Sequence, residues 1–113
     1  MKFLTSFLLL VSFLCASSLV SADELQGNPQ TGETKISMCI GCHGIQGYQA
    51  SFPQVYKVPK IAGQNAKYII NALNAYKKGD RRHPSMHGIA ASMTDQDMAD
   101  VAAYYSTLGK DEK

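Results

Sequence analysis

Two thiols and an imidazole stand within five residues, in the run Cys39-Ile40-Gly41-Cys42-His43. Thiols three positions apart can each add to one vinyl group of a porphyrin, and the residue that follows then lies under the metal. This is the C-x-x-C-H attachment pattern of a c-type haem. His43 would bring an imidazole nitrogen to the iron as proximal ligand. Two other chemistries share part of the pattern. A thioredoxin-like dithiol uses C-x-x-C where a helix starts after a strand, but no alternating or β-branched run precedes Cys39. Structural zinc wants four Cys or His ligands, and the chain has no second C-x-x-C. His83 and His87 are four apart but enclose Pro84, which speaks against a helical ligand pair.

The elements that must position these residues read as helices. A helix is expected from about Gln30 into Cys39, and Gly32 inside it costs about 1 kcal/mol relative to alanine. Close approach of another helix would justify that cost. Residues 44–58 contain Gly44, Gly47 and Pro53 and read as a loop, with Tyr48, Phe52 and Tyr56 packed on the macrocycle edge or the core. Pro59-Lys60-Ile61-Ala62-Gly63-Gln64 follows. Proline fixes the backbone, so the Pro59 carbonyl can face His43, accept its N–H and keep the other ring nitrogen for iron.

Residues 65–78 form the clearest internal helix, with Tyr68, Ile69, Ala72, Leu73 and Tyr76 on one stripe and Gly79 as its stop. Residues 80–93 read as a second loop. Thr94 caps a last helix whose face is Met98, Val101, Ala102, Tyr105 and Leu108, with Asp95 and Asp97 at the positive end of its dipole.

The 113 residues allow at most one domain. Met1-Lys2, the apolar stretch from Phe3 to Leu14 and the small residues Val20-Ser21-Ala22 have the layout of a secretory signal peptide. The expected division is a signal peptide over 1–22 and a folded domain over 23–113; an uncleaved anchor is the alternative. Cleavage removes Lys2 and Cys15, lowers the formal charge of +2 by one unit and leaves only Cys39 and Cys42. Both are used by the haem motif, so no structural disulfide is expected. Export agrees with the motif, because haem c is attached outside the cytoplasmic membrane. A chain this short buries a thin core, and a covalently held macrocycle would supply the missing apolar centre.

The sixth iron position decides between chemistries, since two protein ligands favour electron transfer and an open site favours small-ligand binding. Met98 belongs to a helical apolar face, and Met93, just before the cap, reads as a hydrophobic staple. Met86 stands in Pro84-Ser85-Met86-His87-Gly88, with no packing reason to be there, and is the first candidate. His87 is its main competitor and would lower the potential.

Taken together, these pieces resemble a small bacterial class I cytochrome c, similar to the single-haem relatives of the dihaem periplasmic cytochromes. The matching residues are Gly32, Cys39 to Gly44, Pro59 to Gln64 with Tyr68, Met86-x-Gly88, and Thr94 to Asp97 leading to Ala102-Ala103-Tyr104-Tyr105. The resemblance implies an all-α fold, three main helices and loops around one covalently attached haem c, with the N- and C-terminal helices crossing at Gly32 and Tyr104. It implies covalent attachment at Cys39 and Cys42, axial His43 and Met86, and Pro59 supporting His43. His87 beside the ligand departs from the family's habit.

The function expected is a periplasmic electron carrier, not an enzyme, serving redox partners such as a membrane respiratory complex. Lys77, Lys78, Arg81 and Arg82 could steer an acidic partner or simply complement their own helix dipole. The rival functions are a small haem enzyme or ligand sensor, and a c-type subunit of a membrane oxidase or reductase. Nothing in the sequence suggests nucleic-acid binding.

Overall fold

Asparagine, histidine and threonine side chains start four of the five described helices. The computed structural model describes residues 24–44, 49–50 and 56–109. The expected signal peptide, Tyr48 and Phe52 lie outside the described residues, as does the Tyr56 side chain.

Helix α1, Pro29–Lys35, begins where the Asn28 side chain accepts the Thr31 N–H at 3.0 Å, with Pro29 in the first turn where a missing N–H costs nothing. The helix does not run unbroken into the thiols. It stops at Ile36 (φ −81°, ψ 2°), and α2, Ser37–His43, begins afresh. The Ile36 carbonyl takes the N–H of both Cys39 and Ile40, at 2.8 and 3.0 Å, which tightens the chain at the junction. A two-residue antiparallel ladder, β1 (Gln49–Ala50) with β2 (Tyr56–Lys57), then pairs Gln49 with Lys57 and Ala50 with Tyr56.

Helix α3, Ala66–Lys78, is capped by Asn65 and ends on Gly79 at φ 85°, a conformation that favours glycine. Ile69 and Leu73 are buried as expected, but Tyr68, read as part of the same stripe, is 53% exposed.

The stretch expected to be a loop holds a helix, α4, Pro84–Ala91. Pro84 acts as a starter at the first helical position, and the His83 ring takes the cap role by accepting the Met86 N–H at 3.2 Å. Helix α5, Asp95–Thr107, opens with a reciprocal capping box between Thr94 and Asp97. Met93 and Met98, on either side of that cap, are both buried in the core cluster, as a staple requires.

Helix α5 is the axis of the fold. Its Met98, Val101, Ala102 and Tyr105 meet Ile69 and Leu73 of α3, Ala90 of α4 and Met93. These positions are spaced i, i+3, i+4 and i+7, one face of a helix. A second face, containing Gln96, Ala99, Asp100 and Ala103, receives the segment 26–35. A Cβ on Gly32 would fall on the Asp100 carbonyl and lie 2.9 Å from the Tyr104 Cβ. Gly27 meets Ala99 and Ala103 in the same way. The N- and C-terminal helices therefore cross backbone to backbone, which is the reason for Gly32.

Charge closes this crossing. Asp100, only 2% exposed, accepts the Asn28 N–H at 2.8 Å and the Gln96 amide at 2.9 Å, and meets Lys35 Nζ at 2.8 Å. Lys35 also reaches Asp97 at 2.7 Å. Its ammonium, with the other bonds to Asp100, holds that carboxyl below the usual range, and the two carboxylates raise Lys35 in turn.

Candidate haem site

The two thiols are free and lie one helical turn apart on α2, Cys39 partly buried and Cys42 exposed. Burial pushes the Cys39 thiol above its ordinary pKa. A dithiol nucleophile needs the opposite shift. Among the described residues, no three His, Cys, Asp or Glu side chains gather as a metal-ion site.

His43 ends α2 and is turned by one short bond: its Nδ1 donates to the Pro59 carbonyl at 2.7 Å. A carbonyl can only accept, so Nδ1 carries a proton, and in the neutral ring Nε2 is the nitrogen with the free lone pair. Pro59 is held in place from its C-terminal side. Gly63, at φ 79°, donates its N–H to the Tyr105 carbonyl at 2.8 Å, and Gln64 closes a turn onto Ile61 at 3.1 Å. The loop is thus pinned to the last turn of α5. Gly63 was missed as a functional support; its place after Ile61-Ala62 was the available signal.

Met86 lies in the first turn of α4 and packs partly buried against the same core cluster that Cys39 touches. His87, the next residue, is rotated about 100° around the helix and donates its Nδ1–H to the Tyr76 carbonyl at 2.8 Å. His83 is occupied as the cap of α4 and stands edge-on to Tyr76, with ring centroids 6.3 Å apart. Met93 and Met98 are buried core members, and of Met86, His83 and His87 it is Met86 that packs, like Cys39, against that core.

The basic cluster is less uniform than its sequence. Lys77 Nζ donates to the Met93 carbonyl at 2.6 Å, tying α3 to the start of α5. The Arg81 guanidinium lies 4.8 Å from the centre of the Tyr76 ring. Lys78 and Arg82 are exposed.

These residues fit a covalently attached haem. The thiols are free at the attachment spacing, a nitrogen of His43 is prepared as a ligand, and no residue of α2 is buried by the polypeptide. Met38 and Ile40 on that helix are 51% and 48% exposed. A helical domain of this kind is a c-type haem protein.

The cytochrome c family matches residues 30–109, and the chain belongs to that family. Its cofactor is haem c, with iron, attached covalently. Cytochrome c4 of Pseudomonas aeruginosa is 33% identical over 99 residues, which are 88% of this chain and 47% of that protein. Cytochrome c-554(548) of Halomonas halodenitrificans is 39% identical over 84 residues, 72% of this chain and 96% of its own length. The crystal structure of reduced cytochrome c4 from Pseudomonas stutzeri superposes with a TM-score of 0.59 at 32% identity, covering 73% of this chain and 46% of that one. The chain thus spans about half the length of the cytochrome c4 relatives it matches. The cytochrome c fold expected from the sequence is the fold observed.

Proposed function

We propose that this cytochrome is an exported, periplasmic one-electron carrier whose haem is linked through Cys39 and Cys42 and ligated by His43 and Met86. The observation that carries the reading is the 2.7 Å bond from His43 Nδ1 to the Pro59 carbonyl. It fixes the tautomer and the ring plane, and it increases the electron density that Nε2 offers to a metal. When bound, haem c supplies reversible one-electron exchange between ferrous and ferric iron.

The protein side of that exchange is positioning. Helix α2 presents two thiols on one face, and the loop pinned at Gly63 delivers Pro59 to His43. Helix α4 presents Met86 against the core cluster, while the Tyr76 carbonyl holds the His87 ring by its Nδ1–H. A thioether ligand favours the reduced metal and raises the potential above that of a bis-histidine site. Residues 1–22 act as the signal peptide and 23–113 as the cytochrome domain. Among the described residues no helix is long and apolar enough to cross a membrane.

The partner is a larger redox protein. Two relatives are named as a thiosulfate dehydrogenase electron acceptor and as a cytochrome subunit of sulfide dehydrogenase. The proposed partner is accordingly a dehydrogenase or a membrane respiratory complex, met through Lys78 and Arg82.

The test is a pyridine haemochrome spectrum with the intact mass of exported protein. One haem, two thioethers and a chain beginning at Asp23 are expected. The weak far-red absorption of iron–methionine ligation should appear in oxidised protein and vanish in Met86→Ala. Rapid binding of carbon monoxide by the reduced wild type would overturn Met86 and favour a sensor or enzyme.

A further inference from the structure

One buried polar atom among the described residues is without a partner: the hydroxyl of Tyr105. The side chain is only 4% exposed, in a core cluster otherwise built of aliphatic and methionine side chains. Phenylalanine would fill the same space without burying a hydroxyl, so the oxygen needs its own explanation. Its surroundings give a direction. The Tyr104 ring meets it edge-on at 5.4 Å, and its backbone carbonyl is already used by Gly63. Burial pushes the phenol up to about 12. Cys39 is the thiol packed against the core cluster to which Tyr105 belongs, and Cys39 is where one edge of the tetrapyrrole would be joined to the chain.

We propose that Tyr105 is a positioning residue for the cofactor, its hydroxyl donating a hydrogen bond to the thioether edge at Cys39. The inference rests on the haem reading above and deepens it. A donor at that edge draws electron density from the macrocycle and favours the reduced state. It also converts an unpaired buried hydroxyl into a paired one, so that attachment of haem and closure of the core support each other. Among the described residues no group pairs with the phenol, so its hydroxyl is available as a hydrogen-bond donor.

The experiment compares wild type, Tyr105→Phe and the half-exposed control Tyr104→Phe, all as exported holoprotein with the haem mass verified. Tyr105→Phe is expected to lower the midpoint potential, shift the carbon–sulfur stretching band in resonance Raman spectra and lower the Tm, whereas Tyr104→Phe leaves the Raman band in place. A Tyr105→Phe holoprotein with unchanged potential and Raman band, and an equal or higher Tm, overturns the inference and leaves the haem reading intact. A wild type without attached haem overturns both.

Discussion

The two sides of α5 are closed by different means. On one side the segment 26–35 lies directly on the helix: Gly27 and Gly32 remove the side chains that would keep the backbones apart, and Asp100 gathers Asn28, Gln96 and Lys35 around a buried carboxylate. On the other, Ile69 and Leu73 of α3 cover the apolar stripe Met98, Val101, Ala102 and Tyr105, but α2 buries none of its residues and α4 buries only Ala90. Protein alone closes the first side; on the second it covers the apolar stripe of α5 with α3 and Met93 but leaves α2 with no buried residue, to be completed by a flat apolar group held by two sulfurs. The difference explains how a chain with so few fully buried residues can have one defined structure. The crossing supplies a rigid frame through α5, and the haem side borrows its core from the cofactor.

That contrast can be broken most completely from the haem side. The double change Cys39→Ala with Cys42→Ala should abolish covalent attachment, seen as loss of the haem mass and of colour. The cooperative thermal transition should disappear with it, because no residue of α2 is fully buried by the polypeptide. A sharp transition in that colourless variant would show that polypeptide packing alone suffices. The next largest effect belongs to the crossing. Gly32→Val places a branched side chain against the Asp100 carbonyl and the Tyr104 Cβ. The backbone on the other helix cannot yield, so the holoprotein should lose about 3 kcal/mol in urea unfolding. Its visible spectrum should stay that of the wild type while it remains folded.

Asp100→Asn tests the ionic half of the crossing. The amide keeps the shape and loses the charge that Lys35 faces, at an expected cost of about 2 kcal/mol. The pH dependence follows from the same bonds. The Asp100 and Asp97 carboxyls are held below their ordinary range, chiefly by Lys35. Their contribution is therefore full above the unfolded carboxylate value of about 4 and fades as pH falls through the lower folded values. Lys35 is raised; its contribution is full below about 10.4 and fades only as pH rises beyond that. Wild type should lose Tm steeply on acidification below about pH 4, and Asp100→Asn should lose less over the same interval. Parallel curves would show that the crossing is not closed by charge.

Much of this frame was legible because its signals are local. Asn65, Thr94 and Gly79 announce helix ends within three or four residues of where they act, and Gly32 announces a close approach by its cost. The Pro59 carbonyl could be assigned to His43 because proline marks a fixed backbone beside a known ligand type.

What escaped depends on partners far along the chain or on a side chain in an unusual role. Pro84 looked like a breaker because histidine is not a common cap, so α4 was read as a loop. Nothing local in the sequence marks Asp100; its burial depends on Asn28 and Lys35, over sixty residues away. The Tyr105 ring was read as part of the core stripe, where it is, but nothing in the spacing could reveal that its hydroxyl lacks a partner.

The smallest effects separate residues that the sequence groups as one basic patch. Lys77 is half-buried and bonded to the Met93 carbonyl at 2.6 Å, just before the cap of α5. Its replacement by methionine keeps the aliphatic stem but leaves that carbonyl without its charged donor, and about 1 kcal/mol of stability should go. Lys78 and Arg82 are exposed, and surface charges of this kind contribute little to folding. Reversal of both to glutamate should leave the Tm and the midpoint potential unchanged. If these two charges steer an acidic partner, the double reversal should slow bimolecular electron transfer severalfold at low ionic strength, and the difference should shrink as added salt shortens the screening length to about 10 Å or less. Equal rates at low salt would assign the whole cluster to the end of α3 and its dipole. A rate defect as large in Lys77→Met as in the reversal would instead place the docking surface on the junction between α3 and α5.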